Sequence, residues 1–141
     1  MDRGECVMKI IYVAILANIL LVAIVSGCLI STTPSESAKY IDVSVQQGKE
    51  MIDTGEVFLL DVRTQEEYNE GHISGSTLIP VQELEAKLNE LPKDKKILVY
   101  CRSGNRSATA SEILVKKGFH QIFNMHGGIT EWKNAGYEVV K

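Results

Sequence analysis

The stretch ILVYCRSGNRS, residues 97–107, joins an apolar run to a turn that holds a cysteine, a glycine and two arginines. Its first four residues have the length and apolar character of a strand that is buried on both faces. Residues 105–117 then place apolar side chains at helical spacing, and Gly118 follows as a typical C-cap. A buried strand, a short turn and a helix together form the repeating unit of a parallel α/β sheet.

The same alternation of apolar runs and helical patterns extends along the rest of the chain from residue 39. We expect further strands at residues 40–43, 57–61, 78–79 and 122–123, with residues 139–140 completing the sheet. We expect further helices at residues 44–52, 64–71, 81–91 and 129–135, and capping boxes open the first two of these. The predicted fold class is therefore α/β, a parallel sheet of about five strands with helices on both faces.

The composition excludes several classes of protein. The chain has 141 residues with a net charge of −3, which fits one globular domain and argues against a nucleic-acid partner. Its three cysteines, Cys6, Cys28 and Cys101, are too few for a disulfide framework. No Cys/His cluster has the spacing of a zinc site, so we expect no metal.

An apolar segment near the N-terminus predicts attachment to a membrane. Residues 10–30 are longer than the ~7–15 residues of a signal sequence core and close to the ~20 of a spanning helix. The motif VSGC at residues 25–28 is similar to a bacterial lipobox, and polar residues 31–37 follow it as a flexible tether. We therefore predict a signal peptide at residues 1–27, lipidation of Cys28, a tether over residues 28–39 and a domain over residues 40–141. The alternative is a transmembrane anchor at residues 10–30, and both alternatives place the domain outside the cytoplasm.

The turn after residue 100 carries the candidate chemistry, because ligands of parallel α/β sheets bind beyond the carboxyl ends of the strands. Cys101 would face the N-terminus of the following helix, whose unpaired N–H groups lower the pKa of a thiol. Arg102 and Arg106 add positive charge, and Gly104 allows a tight curve whose N–H groups bind an anion. A lone cysteine at a strand end is usually a small buried apolar residue. The glycine and the two arginines favour a reactive thiolate instead.

Several motifs, taken in this order, resemble the single-domain rhodanese (thiosulfate sulfurtransferase-like) family. They are LLDVR at residues 59–63, GHISGS at residues 71–76, CRSGNRS at residues 101–107 and GGI at residues 127–129. The resemblance covers residues 40–141 and implies a rhodanese-like sheet with no cofactor beyond a covalent persulfide. Cys101 would be the catalytic residue, taking sulfur from a small donor such as thiosulfate. It would pass that sulfur to cyanide or to a thiol, including one on a protein.

The resemblance also implies roles for the residues around the cysteine. The substrate-binding set is Arg102, Ser103, Gly104, Asn105 and Arg106, whose backbone N–H groups would surround the persulfide. Arg106 is the stronger candidate for binding the sulfonate of the donor. Asp61 and Arg63 are supporting residues, either as part of the positive field or, as we prefer, as a structural pair. We expect His72 to stabilise a turn and Trp132 to pack in the core.

The sequence leaves three alternative functions to consider. A persulfide carrier with little turnover of small donors would have the same loop. A catalytically silent domain used for protein contacts is disfavoured, because such domains commonly lose the cysteine. Phosphatase or arsenate reductase activity is disfavoured by loop length, since phosphatases of this fold have one more residue between the cysteine and the arginine.

Overall fold

The computed structural model describes residues 39–141. Its strands are β1 (Ile41–Val43), β2 (Val57–Asp61), β3 (Thr77–Leu78), β4 (Lys96–Tyr100) and β5 (Ile122–Met125). Its helices are α1 (Val45–Asp53), α2 (Gln65–Glu70), α3 (Asn105–Lys116) and α4 (Gly128–Asn134). The strands form one sheet in the order β1-β5-β4-β2-β3, and every neighbouring pair is parallel. The predicted α/β fold with a five-stranded parallel sheet is confirmed. The predicted signal peptide and anchor lie outside the described residues, as does the predicted tether up to residue 38.

Both predicted capping boxes form, and each fixes the start of a helix. At α1 the Ser44 hydroxyl accepts from the Gln47 N–H at 3.2 Å, and the Gln47 side chain accepts from the Ser44 N–H at 2.9 Å. At α2 the same reciprocal pair joins Thr64 and Glu67 at 3.3 and 3.1 Å. These bonds satisfy N–H groups that would otherwise lack partners at a helix start.

Strand β4 lies in the middle of the sheet and is buried on both faces, because its side chains alternate between them. Ile97 and Val99 pack with Ala110 and Leu114 of α3 on one face. The other face is covered by apolar side chains of α1 and α4. The loop that follows β4 therefore starts from the centre of the core.

The predicted helix over residues 81–91 is wrong. This segment forms two short 3₁₀ helices, Leu84–Ala86 and Leu88–Glu90, and no side chain caps either of them. Leu84 is fully buried and Leu91 is 5% exposed. The spacing of Leu84 and Leu91 arises because an irregular segment buries each of them separately in the core, and it does not mark one face of an α-helix.

Residues 139–140 do not complete the sheet as predicted. Val140 instead forms an isolated antiparallel bridge with His72, with reciprocal backbone hydrogen bonds of 2.8 Å. The chain turns back after α4, where the Tyr137 N–H donates to the Trp132 carbonyl at 3.2 Å. Tyr137 and Val139 then pack on the outer face of the core. Within residues 39–141, no helix combines the length and the apolar character needed to cross a membrane.

Candidate active site

Cys101 directly follows β4, and its side chain is 1% exposed. The loop reaches α3 through Gly104, the residue before the helix, which has a φ of 106°. A Cβ atom at Gly104 would lie 3.2 Å from the backbone nitrogen of Gly127. Both the left-handed backbone and this close approach require glycine. The tight curve predicted for the loop is therefore possible because residue 104 has no side chain.

The Cys101 sulfur lies among neutral hydrogen-bond donors. The Gly104 N–H donates to Sγ at 3.1 Å, and the Ser107 Oγ lies 3.5 Å from Sγ and 3.0 Å from the Gly104 carbonyl oxygen. Burial raises the pKa of the Cys101 thiol. Hydrogen bonds from the Ser107 hydroxyl and from the N–H groups of Ser107, Gly104 and Ser103 outweigh burial and lower the pKa overall. The site thus favours a thiolate through a hydroxyl and backbone dipoles.

The N-terminus of α4 fixes the orientation of the loop. The Ile129 N–H donates to the Cys101 carbonyl at 2.9 Å, and the Thr130 N–H donates to the Arg102 carbonyl at 3.1 Å. A side chain at Gly128 would collide with the same backbone. Helix α4 therefore binds the carbonyl groups of the loop, and the N–H groups of the loop remain available to the sulfur.

Arg106 is held by a carboxylate. Its two terminal nitrogens donate to the two carboxylate oxygens of Glu67 at 2.7 and 2.8 Å. The hydrogen bonds from Arg106 lower the pKa of Glu67 to about 2. The residue predicted to bind the sulfonate thus has its guanidinium group in a bidentate ion pair, and its role towards a donor stays a prediction.

Asp61 and Arg63 form a buried pair at the carboxyl end of β2, with 0% and 4% of their surfaces exposed. The shortest distance in the pair is 2.6 Å, from Nη2 to Oδ2. Arg63 also donates to the backbone carbonyl groups of Glu67 at 3.1 Å and Gly71 at 2.9 Å. These contacts fit the structural interpretation, because the pair anchors the helix that carries Glu67.

A cleft of about 400 Å³ lies beside the loop. Its walls come from the loop, from the turn after β2, and from α2 and α4, and they include Arg102, Arg63, Glu67, Glu70, Thr130 and Lys133. Two of its cations, Arg102 and Lys133, form no ion pair with any residue in the part of the chain described. The cleft therefore combines fixed and free charges next to the thiol loop.

The structure brings the five predicted loop residues together, but their side chains and backbone groups differ in how they relate to the Cys101 sulfur. Ser103 and Asn105 have exposed side chains, and the Ser103 N–H helps to lower the pKa of the Cys101 thiol. Cys28 lies outside the described residues. Among residues 39–141, no three side chains of His, Cys, Asp or Glu are grouped as metal ligands.

The two residues expected to stabilise the fold do so. His72 Nδ1 lies 3.1 Å from the Tyr68 carbonyl oxygen, and the His72 ring stacks on that of Tyr68. The Trp132 indole N–H donates to the Glu138 carbonyl at 2.9 Å, and the Trp132 side chain is 3% exposed.

Sequence reasoning missed three residues of the site. Ser107 could have been found from its position in the first turn of α3, three residues after Gly104. Glu67 was recognised only as a capping residue, since nothing in the sequence shows that α2 lies next to α3. Lys133 carries no sequence signal, because its position depends on how α4 packs against the loop.

Comparison with known proteins gives one consistent result. The model of the rhodanese-like domain family matches residues 44–135. The chain is 36% identical to a sulfurtransferase of Allochromatium vinosum over 90 residues, 64% of this chain and 84% of that protein. It is 38% identical to the putative sulfur carrier protein YrkF of Bacillus subtilis over 100 residues, 70% of this chain and 54% of that protein. The crystal structure of a rhodanese-related protein from Thermoplasma volcanium matches with 40% identity and a TM-score of 0.67, covering 72% of this chain and 98% of that one.

Proposed function

This chain belongs to the rhodanese-like domain family, and from that membership we propose that it is a thiosulfate-type sulfurtransferase working through a persulfide on Cys101. Its general role is sulfur transfer, as in the sulfurtransferase to which it is similar. The observation that carries the proposal is the environment of the Cys101 sulfur. A buried thiol of lowered pKa, 3.1 Å from the Gly104 N–H, suits a sulfur nucleophile that must bear negative charge before and after reaction.

In the first step the Cys101 thiolate attacks the outer sulfur of thiosulfate. The bond between the two thiosulfate sulfurs breaks, and sulfite leaves with the bonding electrons. The product is a Cys101 persulfide anion, whose charge is stabilised by the N–H groups of Ser103, Gly104 and Ser107. Because these donors are fixed before the reaction, stabilising the new anion requires little rearrangement.

In the second step an acceptor thiolate or cyanide attacks the outer sulfur of the persulfide. The S–S bond breaks, and the Cys101 thiolate leaves with the electron pair. Residues 39–141 contain no second cysteine, so a thiol from the same domain cannot take the sulfur. The acceptor therefore comes from outside this domain, as a small thiol or a protein thiol, with cyanide serving in the assay.

A second candidate is a persulfide carrier that exchanges sulfur with a protein partner and turns over small donors poorly. The similarity to the putative sulfur carrier protein YrkF favours this candidate. The chemistry at Cys101 would be the same in both cases. Turnover with thiosulfate and cyanide separates them, because only the enzyme completes many cycles.

The proposal includes a location outside the cytoplasm, tethered by a lipidated Cys28 or by a helix over residues 10–30. It is supported by the apolar run and by the lipobox-like motif at residues 25–28. Growth with a labelled fatty acid tests it. A lipoprotein loses both the label and the cleavage when Cys28→Ser is introduced, whereas an uncleaved anchor never takes up the label and keeps its N-terminal residues.

The function is tested with the full chain in detergent. The protein is incubated with thiosulfate, its intact mass is read, and cyanide is then added while thiocyanate is assayed. We expect one added sulfur in the wild type and in Cys28→Ser, none in Cys101→Ser, and many turnovers. A persulfide that forms but turns over negligibly would favour the carrier, and the absence of added sulfur from any donor would refute the persulfide mechanism.

A further inference from the structure

The end of the domain opposite Cys101 carries an excess of positive charge. All five strands are parallel, so the segments that lead into them meet at one end of the sheet. Four of these segments, residues 39–40, 54–56, 93–96 and 116–121, form a surface that we call the amino-end face. This face holds six lysines and two carboxylates, although the whole chain has a net charge of −3.

Contacts within the domain bring the two lysine-rich segments of this face together. The Ile97 N–H donates to the Gln121 carbonyl at 2.8 Å, which joins the start of β4 to the turn after α3. The Lys93 ammonium group lies 5.8 Å from the centre of the Phe119 ring in that turn. The lysines before β4 and those at the end of α3 therefore share one surface.

Most of the positive charge on the amino-end face is not compensated. Lys96 pairs with Glu56 at 3.2 Å, and Lys117 pairs with Glu85 at 2.8 Å. The other four lysines of the face are exposed and form no ion pair within residues 39–141: Lys39, Lys93, Lys95 and Lys116. Asp94 is the one carboxylate of the face that has no such pair with a described residue. The face thus presents a net positive charge to its surroundings.

The chain enters the domain at this same face. Lys39 is the first described residue, and β1 begins at Ile41. Residues 31–38 separate Lys39 from the apolar segment at residues 10–30, which we propose as the membrane attachment. These eight residues span at most about 29 Å, so an attached domain has its amino-end face within reach of the lipid surface. Even weak attraction is then sufficient, because attachment keeps the two surfaces at a high effective concentration.

We propose that the amino-end face docks on an anionic lipid surface and directs the Cys101 loop away from the membrane. Each exposed lysine close to such a surface strengthens docking about fivefold. The inference rests on the membrane attachment proposed above, because it assigns the orientation of the attached domain.

This orientation also keeps the reaction away from the charge of the lipid. Cys101 follows the five residues of β4, which separate it from the amino-end face by about 16 Å. The potential of a charged surface decays over about 8 Å at physiological salt. Because thiosulfate is an anion, an anionic surface lowers its concentration nearby. The loop of a docked domain lies about two decay lengths from that surface, where thiosulfate is hardly depleted.

The test is lysine footprinting of the full-length protein in vesicles. The protein is reconstituted into neutral phosphatidylcholine or into phosphatidylcholine mixed with anionic phosphatidylglycerol, and flotation measures whether it is attached. A membrane-impermeant acetylating reagent is added at low dose, and the rate at each lysine is read by peptide mass spectrometry. Each rate is divided by that of Lys133 in the same sample, because Lys133 borders the cleft at the other end of the domain.

We expect Lys95 and Lys116 to react about fivefold more slowly in anionic than in neutral vesicles, and we expect high salt to remove most of this protection. Lys93→Gln should reduce the protection of both lysines to less than about twofold, because it removes one exposed cation from the face. The matched control is Arg102→Gln, which removes one exposed cation at the opposite end and should leave the protection unchanged.

Equal rates in the two kinds of vesicle at Lys95 and Lys116 would overturn the inference while leaving the attachment intact, since flotation measures attachment separately. Stronger slowing at Lys133 would also overturn it, because the domain would then dock through the end that carries Cys101. The same holds for an equal loss of protection in Lys93→Gln and Arg102→Gln, which would trace the effect to overall charge. A protein that floats with neither kind of vesicle would refute the attachment and this inference together.

Discussion

The inner end of the site, around the Cys101 sulfur, and its outer end, at the cleft, are built from different groups. At the inner end a hydroxyl and backbone N–H groups bind the sulfur, and the backbone is fixed by α3 and α4. At the outer end charged side chains either pair with each other or remain free. The difference separates two tasks: neutral dipoles at fixed positions activate the sulfur, and charges at the surface select what reacts with it.

The largest expected effect comes from disturbing the inner end at Gly128. In Gly128→Ala the added methyl group meets the backbone of Cys101 and Arg102 at a φ of 57°, so the α4 N-terminus must move away from the loop. We expect a loss of about 2–4 kcal/mol in the free energy of unfolding. Persulfide formation should fall about 100-fold, because the N–H groups are displaced from the sulfur. Urea unfolding and intact mass measure the two effects.

The control for this prediction is Gly118→Ala. Gly118 has a φ of 87°, but nothing lies within 4 Å of an added methyl group. The control should therefore cost only about 1 kcal/mol from backbone strain and leave persulfide formation unchanged. If both variants lost the same activity, contact between α4 and the loop would not be what orients the donors.

The next effect concerns the ion pair at the outer end, between Glu67 and Arg106. Because the pKa of Glu67 is lowered from 4.5 to about 2 in the folded protein, its contribution to stability is present above pH 4.5. That contribution is lost as the pH falls from 4.5 to 2. Since both side chains are partly exposed, we expect about 1–2 kcal/mol. In urea unfolding as a function of pH, the free energy of unfolding should fall less in acid for Glu67→Gln than for the wild type.

Glu70→Gln is the matched control for the acid effect, because Glu70 lies in the same helix but forms no ion pair with a described residue. It should lose stability in acid as the wild type does. An equally shallow profile in this variant would mean that the pair with Arg106 is not the source of the effect.

Glu67→Gln should also raise the activity with thiosulfate. Removing the carboxylate frees Arg106 and takes one negative charge from the wall of the cleft. We expect kcat/KM for thiosulfate to rise about two- to threefold, because the donor no longer competes with Glu67 for the guanidinium. A fall in kcat/KM would show that Arg106 must stay paired for the loop to keep its shape. Steady-state assays with thiosulfate and cyanide decide between these results.

The last effect, about as large as that of Glu67→Gln on kcat/KM, is that of salt. Raising the ionic strength from ~0.05 to ~0.5 M should slow thiosulfate uptake about threefold, since the charges of the cleft are exposed to solvent. The reactivity of Cys101 towards an uncharged alkylating reagent should change much less. Equal sensitivity of both rates would mean that charges, rather than dipoles, act on the sulfur.

The sequence alone was sufficient for the five strands, the two capping boxes and the place of Cys101, because each of these depends on local patterns, but it wrongly added residues 139–140 to the sheet. Buried strands require runs such as residues 97–100, and a capping box lies within four residues. The irregular segment at residues 81–91 was not predictable in this way, because burial of Leu84 and Leu91 produces the same spacing as a helix face. The pairing of Arg106 with Glu67 was also not predictable from the sequence, since it joins residues on two helices that are separated by a long stretch of chain.

The most direct test of the account is the pKa of Cys101, read from the pH dependence of alkylation of its own peptide in the wild type and in two variants. Ser107→Ala removes a neutral donor to the sulfur, and Arg102→Gln removes the charge next to it in the chain. The account predicts that Ser107→Ala raises the pKa of Cys101 and that Arg102→Gln changes it less. A larger rise in Arg102→Gln, or an unchanged pKa in Ser107→Ala, would contradict the claim that fixed dipoles activate the sulfur.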